Sequence, residues 1–306
     1  MRISIDNWVL LWRKQKRLQE IEVDATDLPL MPIIEKDPNL IKAFKDVPVL
    51  SLYPAELDGL RVCQKILQAS PGVKELTLSA GAFKASDDRD PEDLQDSSTH
   101  AGLFSRTVFS HLQPFDACSP LILTSLHLEH LSLRYAADTY LRVIKFSCLK
   151  TLEVFHCVGA ENLFSQLSKP NIRPGQLKHL YWTQSSVRES HILEAFEGLL
   201  ETLLGLETLH VEIDYVDNLP KVKAITHHGK TLKYLSMNIQ AVDSTINYDP
   251  VDFTYLCTSC PELEQLSVAF PATPVDSAEA SPNFATFLVR AQSRQAVSWS
   301  FTYLHR

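Results

Sequence analysis

Glycine is scarce in this chain, nine among 306 residues, and its 17 prolines are scattered, which excludes a collagen-like or low-complexity polymer. No apolar run approaches the roughly 20 residues of a membrane-spanning helix. The stretch bounded by Trp8 and Trp12 gives way at once to Arg13, Lys14, Lys16 and Arg17, the reverse of the charge order in a secretory signal. Cytoplasm or nucleus is therefore the expected compartment, with no membrane partner. Base is short as well, 29 Lys and Arg against 37 Asp and Glu, a formal charge of -8, which argues against a nucleic-acid partner held by phosphate contacts. Six cysteines (Cys63, Cys118, Cys148, Cys157, Cys257, Cys260) in a chain without a signal read as reduced and mostly buried thiols.

Catalytic signatures are missing too. There is no Gly-rich phosphate loop, no Gly-x-Ser-x-Gly and no His-Glu-x-x-His, so no enzyme and no cofactor are expected. Cys257-x-x-Cys260 has the spacing of half a zinc site, but the nearest other pair, Cys148 and Cys157, lies far along the chain, and the expectation is core thiols and no metal. His227 and His228 stand before Gly229 at the end of an expected helix, where a cation near the last carbonyls is a sufficient reason for them.

What the chain does have is one short pattern, apolar-x-x-apolar-x-apolar, recurring along most of its length. It starts at Leu18, Val47, Val73, Leu123, Leu149, Leu177, Leu206, Leu232 and Leu263, at intervals of 26 to 31 residues except for the 50 between Val73 and Leu123. The last four residues of each pattern alternate and read as a short strand with one buried face. The intervening segments carry a helical period: in 190–203, Ile192, Leu193, Phe196, Leu199, Leu200 and Leu203 recur at three and four, with Glu194, Glu197 and Glu201 opposite. Similar helices are expected at 57–67, 103–112, 161–167 and 253–257. One strand and one helix per unit, each too small to bury its own apolar face, predict an α/β fold in which the units stack as a solenoid, parallel strands on the concave side and helices on the convex side.

The spacing and these motifs resemble the leucine-rich repeat family, in its ribonuclease-inhibitor-like and cysteine-containing subclasses. Cys260-Pro261-Glu262-Leu263 matches the Cys-Pro-x-Leu that opens a strand in the latter, Ser70-Pro71-Gly72-Val73 is a close variant, and Cys157 matches the Cys or Asn that follows the strand. The array is degenerate and looks most like the recognition arms of divergent fungal F-box and leucine-rich-repeat proteins. The resemblance implies a right-handed superhelix, a single domain over 1–306 of about nine repeats. It also implies a non-enzymatic protein-binding scaffold similar to the substrate-recognition arm of an F-box type ubiquitin ligase. The alternatives it leaves open are a ribonuclease-inhibitor-like regulator that occludes an enzyme and a small-molecule receptor on the concave face. No F-box is legible in these residues, so a ligase adaptor is an expected partner only if an F-box lies outside them.

The interval of 50 reads as an insertion. From 84 to 100 the chain holds Asp87, Asp88, Asp90, Glu92, Asp93 and Asp96 with almost nothing apolar, the composition of a disordered acidic loop. Such a loop either only adds solubility or docks and regulates, and Ser86 before Asp87 and Asp88 suits an acid-directed kinase. A Pro, Ala and Ser-rich stretch at 271–283 precedes an amphipathic segment around 284–291 and a cap strand near Trp299.

On the concave surface the third, fifth and seventh places of each pattern should point outward, 27 positions of which seven are acidic and none is Lys or Arg. Mid-array, His127, Phe155, His179, Tyr181 and His210 form an aromatic and imidazole patch flanked by Glu129, Glu153 and Glu212, the mixture expected of a hot spot for a partner presenting a basic or aromatic segment. Lys74, Lys150, Lys178 and Lys233, at the second place, are expected to rim it.

Overall fold

The computed structural model describes residues 19–24, 44–55, 57–80, 102–112, 119–184, 191–216, 218–241, 248, 250–268 and 298–299. The chain divides into two compact units, 1–149 with 156–163, and 150–155 with 164–306. The expectations for 84–100, Ser86, 271–283 and 284–291 lie outside the described residues.

In the first unit, β1 (Glu20–Asp24), β2 (Val49–Tyr53), β3 (Glu75–Ser79) and β4 (Ser125–Glu129) pair in parallel and in chain order, with Glu20, Val49, Glu75 and Ser125 in register. Each begins at the third place of its pattern. Because β3 pairs directly with β4, the 50-residue interval interposes no further strand between them. The inward residues Leu50, Leu52, Leu76, Leu78, Leu126 and Leu128 are buried. So is one stripe of α1 (Leu57–Ala69), carrying Leu60, Cys63, Ile66 and Leu67 at three and four. The short α2 (Leu103–Val108) continues in a 3-10 turn over Ser110–Leu112. In α3 (Ala137–Val143), Tyr140 is buried and meets Phe109 edge-on, centroids 5.6 Å apart.

The second unit repeats the device with β5 (Thr151–Phe155), β6 (His179–Gln184), β7 (Thr208–Val216), β8 (Tyr234–Ala241), β9 (Gln265–Val268) and the two-residue β10 (Ser298–Trp299), again parallel and in order. Its helices are α5 (Ile192–Thr202), α6 (Val222–Thr226) and α7 (Pro250–Ser259), while α4 (Ala160–Leu167) is divided between the units after Leu163. Leu152, Leu180, Leu209 and Leu235 are buried at successive strands. Trp182 on β6 packs between Phe164 of α4 and Phe196 of α5, at 5.4 and 4.7 Å, so these helices cover the inward side of the sheet. Burying three such rings together stabilises the unit by several kcal/mol, on the order of 2 kcal/mol per fully buried side chain.

Register is set where each strand begins. The Lys150 carbonyl accepts the N–H groups of Lys178 and His179 at 2.8 and 3.0 Å; Lys178, Glu207 and Lys233 each do the same for the two corresponding residues of the next strand. In the first unit Pro48 and Lys74 play that part, Lys74 across the long interval. A one-residue slip would turn every buried leucine outward, so this doubled bond and the leucine pattern enforce the same pairing.

At two residues the structure departs from the sequence expectation. His228 is not a cation at a helix end: it is buried, its Nδ1 accepts the Leu206 N–H and its Nε2 lies 2.9 Å from the Leu200 carbonyl, and burial first, then neighbouring His227, push its pKa down to about 4. A neutral imidazole therefore ties the end of α5 to the next strand. Glu197 does not face solvent with Glu194 and Glu201. It is buried, and its carboxylate accepts the Lys221 backbone N–H at 2.8 Å and Nζ at 2.6 Å.

Candidate functional site

An alternating strand leaves half its side chains on the face of the sheet opposite the buried leucines. In the second unit that face brings six of the expected residues together on three adjacent strands: Glu153 and Phe155 on β5, His179 and Tyr181 on β6, His210 and Glu212 on β7, all half-buried. Glu153, Tyr181 and His210 are register partners in one row. The Tyr181 and His210 rings lie 6.1 Å apart at 40°. His179 Nδ1 is 3.0 Å from the Thr208 hydroxyl, and Glu212 accepts an Asn238 N–H at 3.1 Å while standing 3.9 Å from His210 Nε2. Burial first, then the Glu153 charge, raise the pKa of the Tyr181 hydroxyl, with a hydrogen bond to Thr208 opposing, so the ring stays a neutral phenol.

His127 and Glu129 belong to the first unit. Glu129 bridges His127 and His130 at 3.9 Å each, and burial, then Glu22, Glu129 and Glu20, raise the pKa of the Tyr53 hydroxyl on the same face against a hydrogen bond to Ser51. His130 and His156, which were not singled out from sequence, both have φ of 51° and stack at 5.0 Å with 17° between planes. Their signal was present: each directly follows a seventh-place residue, 26 residues apart. No family model, curated protein or solved structure matches this chain.

At the start of the strands the expected lysine rim holds a carboxylate that the sequence reading passed over. Glu207 takes Lys178 at 3.3 Å and Lys233 at 3.2 Å, and the two ammonium groups, Lys233 first, hold its pKa below the usual carboxylate range. Lys150 and Lys74 are exposed. The described cysteines carry no disulfide. Burial pushes the Cys257 and Cys260 thiols up to about 12 and about 11, and among the described residues no three His, Cys, Asp or Glu are placed to hold a metal ion. A cavity of about 510 Å³ lies on the helical side, where Ser165, Ser168, Ala195 and Gly198 line it beside the Glu197–Lys221 pair. Among the described residues no helix is long and apolar enough to cross a membrane.

Proposed function

We propose that the chain is a leucine-rich repeat solenoid acting as a non-enzymatic protein-binding scaffold in cytoplasm or nucleus, similar to the substrate-recognition arm of an F-box type ubiquitin ligase. Three features support the repeat reading. Nine strands begin at the same place of nine patterns, the doubled carbonyl bond recurs, and the buried Cys157 thiol lies 3.4 Å from the carbonyl of Leu128 on the preceding strand. The observation that carries the binding reading is the outward face of β5 to β7, where aromatic, imidazole and carboxylate side chains stand half-buried in one row and its neighbours. A rigid sheet presents such groups at fixed spacing and loses little order on binding.

The test is affinity capture with the full chain as bait, comparing wild type with the Glu153→Lys/Glu212→Lys double variant and with Glu194→Lys, which lies on α5. The expected result is a partner lost with the sheet-face variant and retained with Glu194→Lys. Partners equally retained by all three would overturn the assignment of the face. Recovery of a ligase adaptor requires an F-box outside these residues, and capture of one enzyme with loss of its activity would favour the occluding regulator instead.

A further inference from the structure

Resting on that reading of the sheet face, we infer that the second unit seats arginine side chains of an extended partner segment, with the Tyr181–His210 ring pair as the stacking surface and Glu153 and Glu212 as the facing carboxylates. Charge is the first argument. None of the outward positions of β5 to β9 is Lys or Arg, and two cations at the strand starts, Lys178 and Lys233, are engaged with Glu207. An acidic partner would meet carboxylates on this face and a purely apolar one would strand them without water.

Geometry narrows the cation. Adjacent strands stand about 4.8 Å apart, so Glu153, Tyr181 and His210 follow one another across the sheet within about 10 Å. Glu212 lies two residues beyond His210, where Asn238 holds it. A planar guanidinium can lie on the two tilted rings and turn its N–H fork to a carboxylate. A lysine ammonium is a hydrated point charge with no plane to stack, so the same face should rank arginine above lysine. An extended segment matches a site spread over three flat strands.

The test uses the full chain and three peptides of one length and sequence, carrying two arginines, two lysines or two citrullines, with affinity measured by calorimetry or fluorescence anisotropy. The expected order is arginine at least about fivefold above lysine, with citrulline weakest. Tyr181→Ala should weaken the arginine peptide about tenfold and bring it level with lysine. Tyr181→Phe, which keeps the ring, should preserve the preference and guards against a folding artefact. Glu212→Gln should weaken both charged peptides, and Glu194→Gln neither. Equal arginine and lysine affinities that ignore Tyr181 would overturn the inference, as would no binding of the arginine peptide at millimolar concentration. If either occurs while the sheet-face reversal still abolishes a captured partner, arginine recognition falls and the binding face stands.

Discussion

The chain leaves its strands in two ways. After β4, and again after β5, five residues suffice: His130 and His156 take left-handed conformations, φ 51°, and the backbone turns away. In β6, β7 and β8 the same place of the pattern is Gln184, Ile213 and Ile239, all buried, and the strands run on to six, nine and eight residues. In these five strands that position separates the two endings: a large inward side chain accompanies the continued alternation, and a half-exposed imidazole with a stacking partner accompanies the turn, while the small Ala80, buried at the same place after β3, ends its strand at five residues. The longer strands give the second unit a broader outward face, reaching Asp214 on β7, and six of the eight expected site residues stand in that unit.

The largest effect that would break this comparison comes from Ile213. If the extension of β7 is part of the core, Ile213→Asp should destabilise as severely as Leu180→Asp, several kcal/mol by order of magnitude, since both side chains have no exposure and either change buries an unpaired carboxylate. Chemical denaturation reads it directly. A midpoint for Ile213→Asp near wild type would mean that the extension is peripheral and that the pattern ends at its sixth residue.

That limit marks how far the sequence could be read. The starts of β1 to β9 were legible, because the pattern repeats a leucine-like spacing and carries its own register, and the long helices were legible from their three-and-four period. The extensions were less legible, although Val211 and Ile213 with Glu212 and Asp214 keep a period of two, since the six-residue signature ends before the alternation does. The short α3, seven residues, offers too few positions for a helical period to show, and the five-residue α6 showed only through the expected helix end at His227 and His228. Alternation alone put the expected site residues at the half-buried places between buried ones. Glu207 between two lysines was invisible because its partners sit on the neighbouring strands.

The second effect is acid sensitivity at His228. Its ordinary pKa of 6.5 falls to about 4 in the fold, so the unfolded chain takes up a proton that the folded chain refuses. Stability from this group is complete above about pH 6.5 and is lost as pH falls toward 4, about 2 kcal/mol of it by pH 5. Replacing His228 with Gln should flatten that part of a stability-versus-pH curve. A wild-type curve with no more slope than the Gln variant between pH 6.5 and 5 would show that the imidazole is hydrated and able to take its proton in the folded state.

A third, smaller effect sharpens the comparison with a single substituent. Valine is disfavoured in the left-handed region and suited to an extended strand. His130→Val should therefore cost about 1 to 2 kcal/mol, and His130→Gly much less, because removing the side chain relieves the strain while losing the stack on His156. Ile239→Val, at the equivalent place of β8, should cost about 1 kcal/mol from one lost methylene alone. Thermal melts in which Val and Gly behave alike at position 130 would remove the left-handed turn from the explanation of strand length.

The smallest effect runs in the stabilising direction and concerns two glycines. Gly198 lies in the middle of α5, and the nearest atom to an added Cβ is the Ser168 Oγ at 3.8 Å, an ordinary contact. Alanine there removes backbone freedom from the unfolded chain and should stabilise by about 0.5 to 1 kcal/mol, a rise in melting temperature of about 2 °C for a chain of this size. Gly159, in the first unit, has φ of 75°, and its added Cβ would stand 2.5 Å from the Arg134 nitrogen. The same substitution there must displace backbone and adopt a strained φ, so its sign reverses. One mutation type thus separates a glycine that the helix tolerates from one that the turn requires. Equal shifts at both positions would mean that the turn around Gly159 relaxes freely and does not fix where the chain leaves β5.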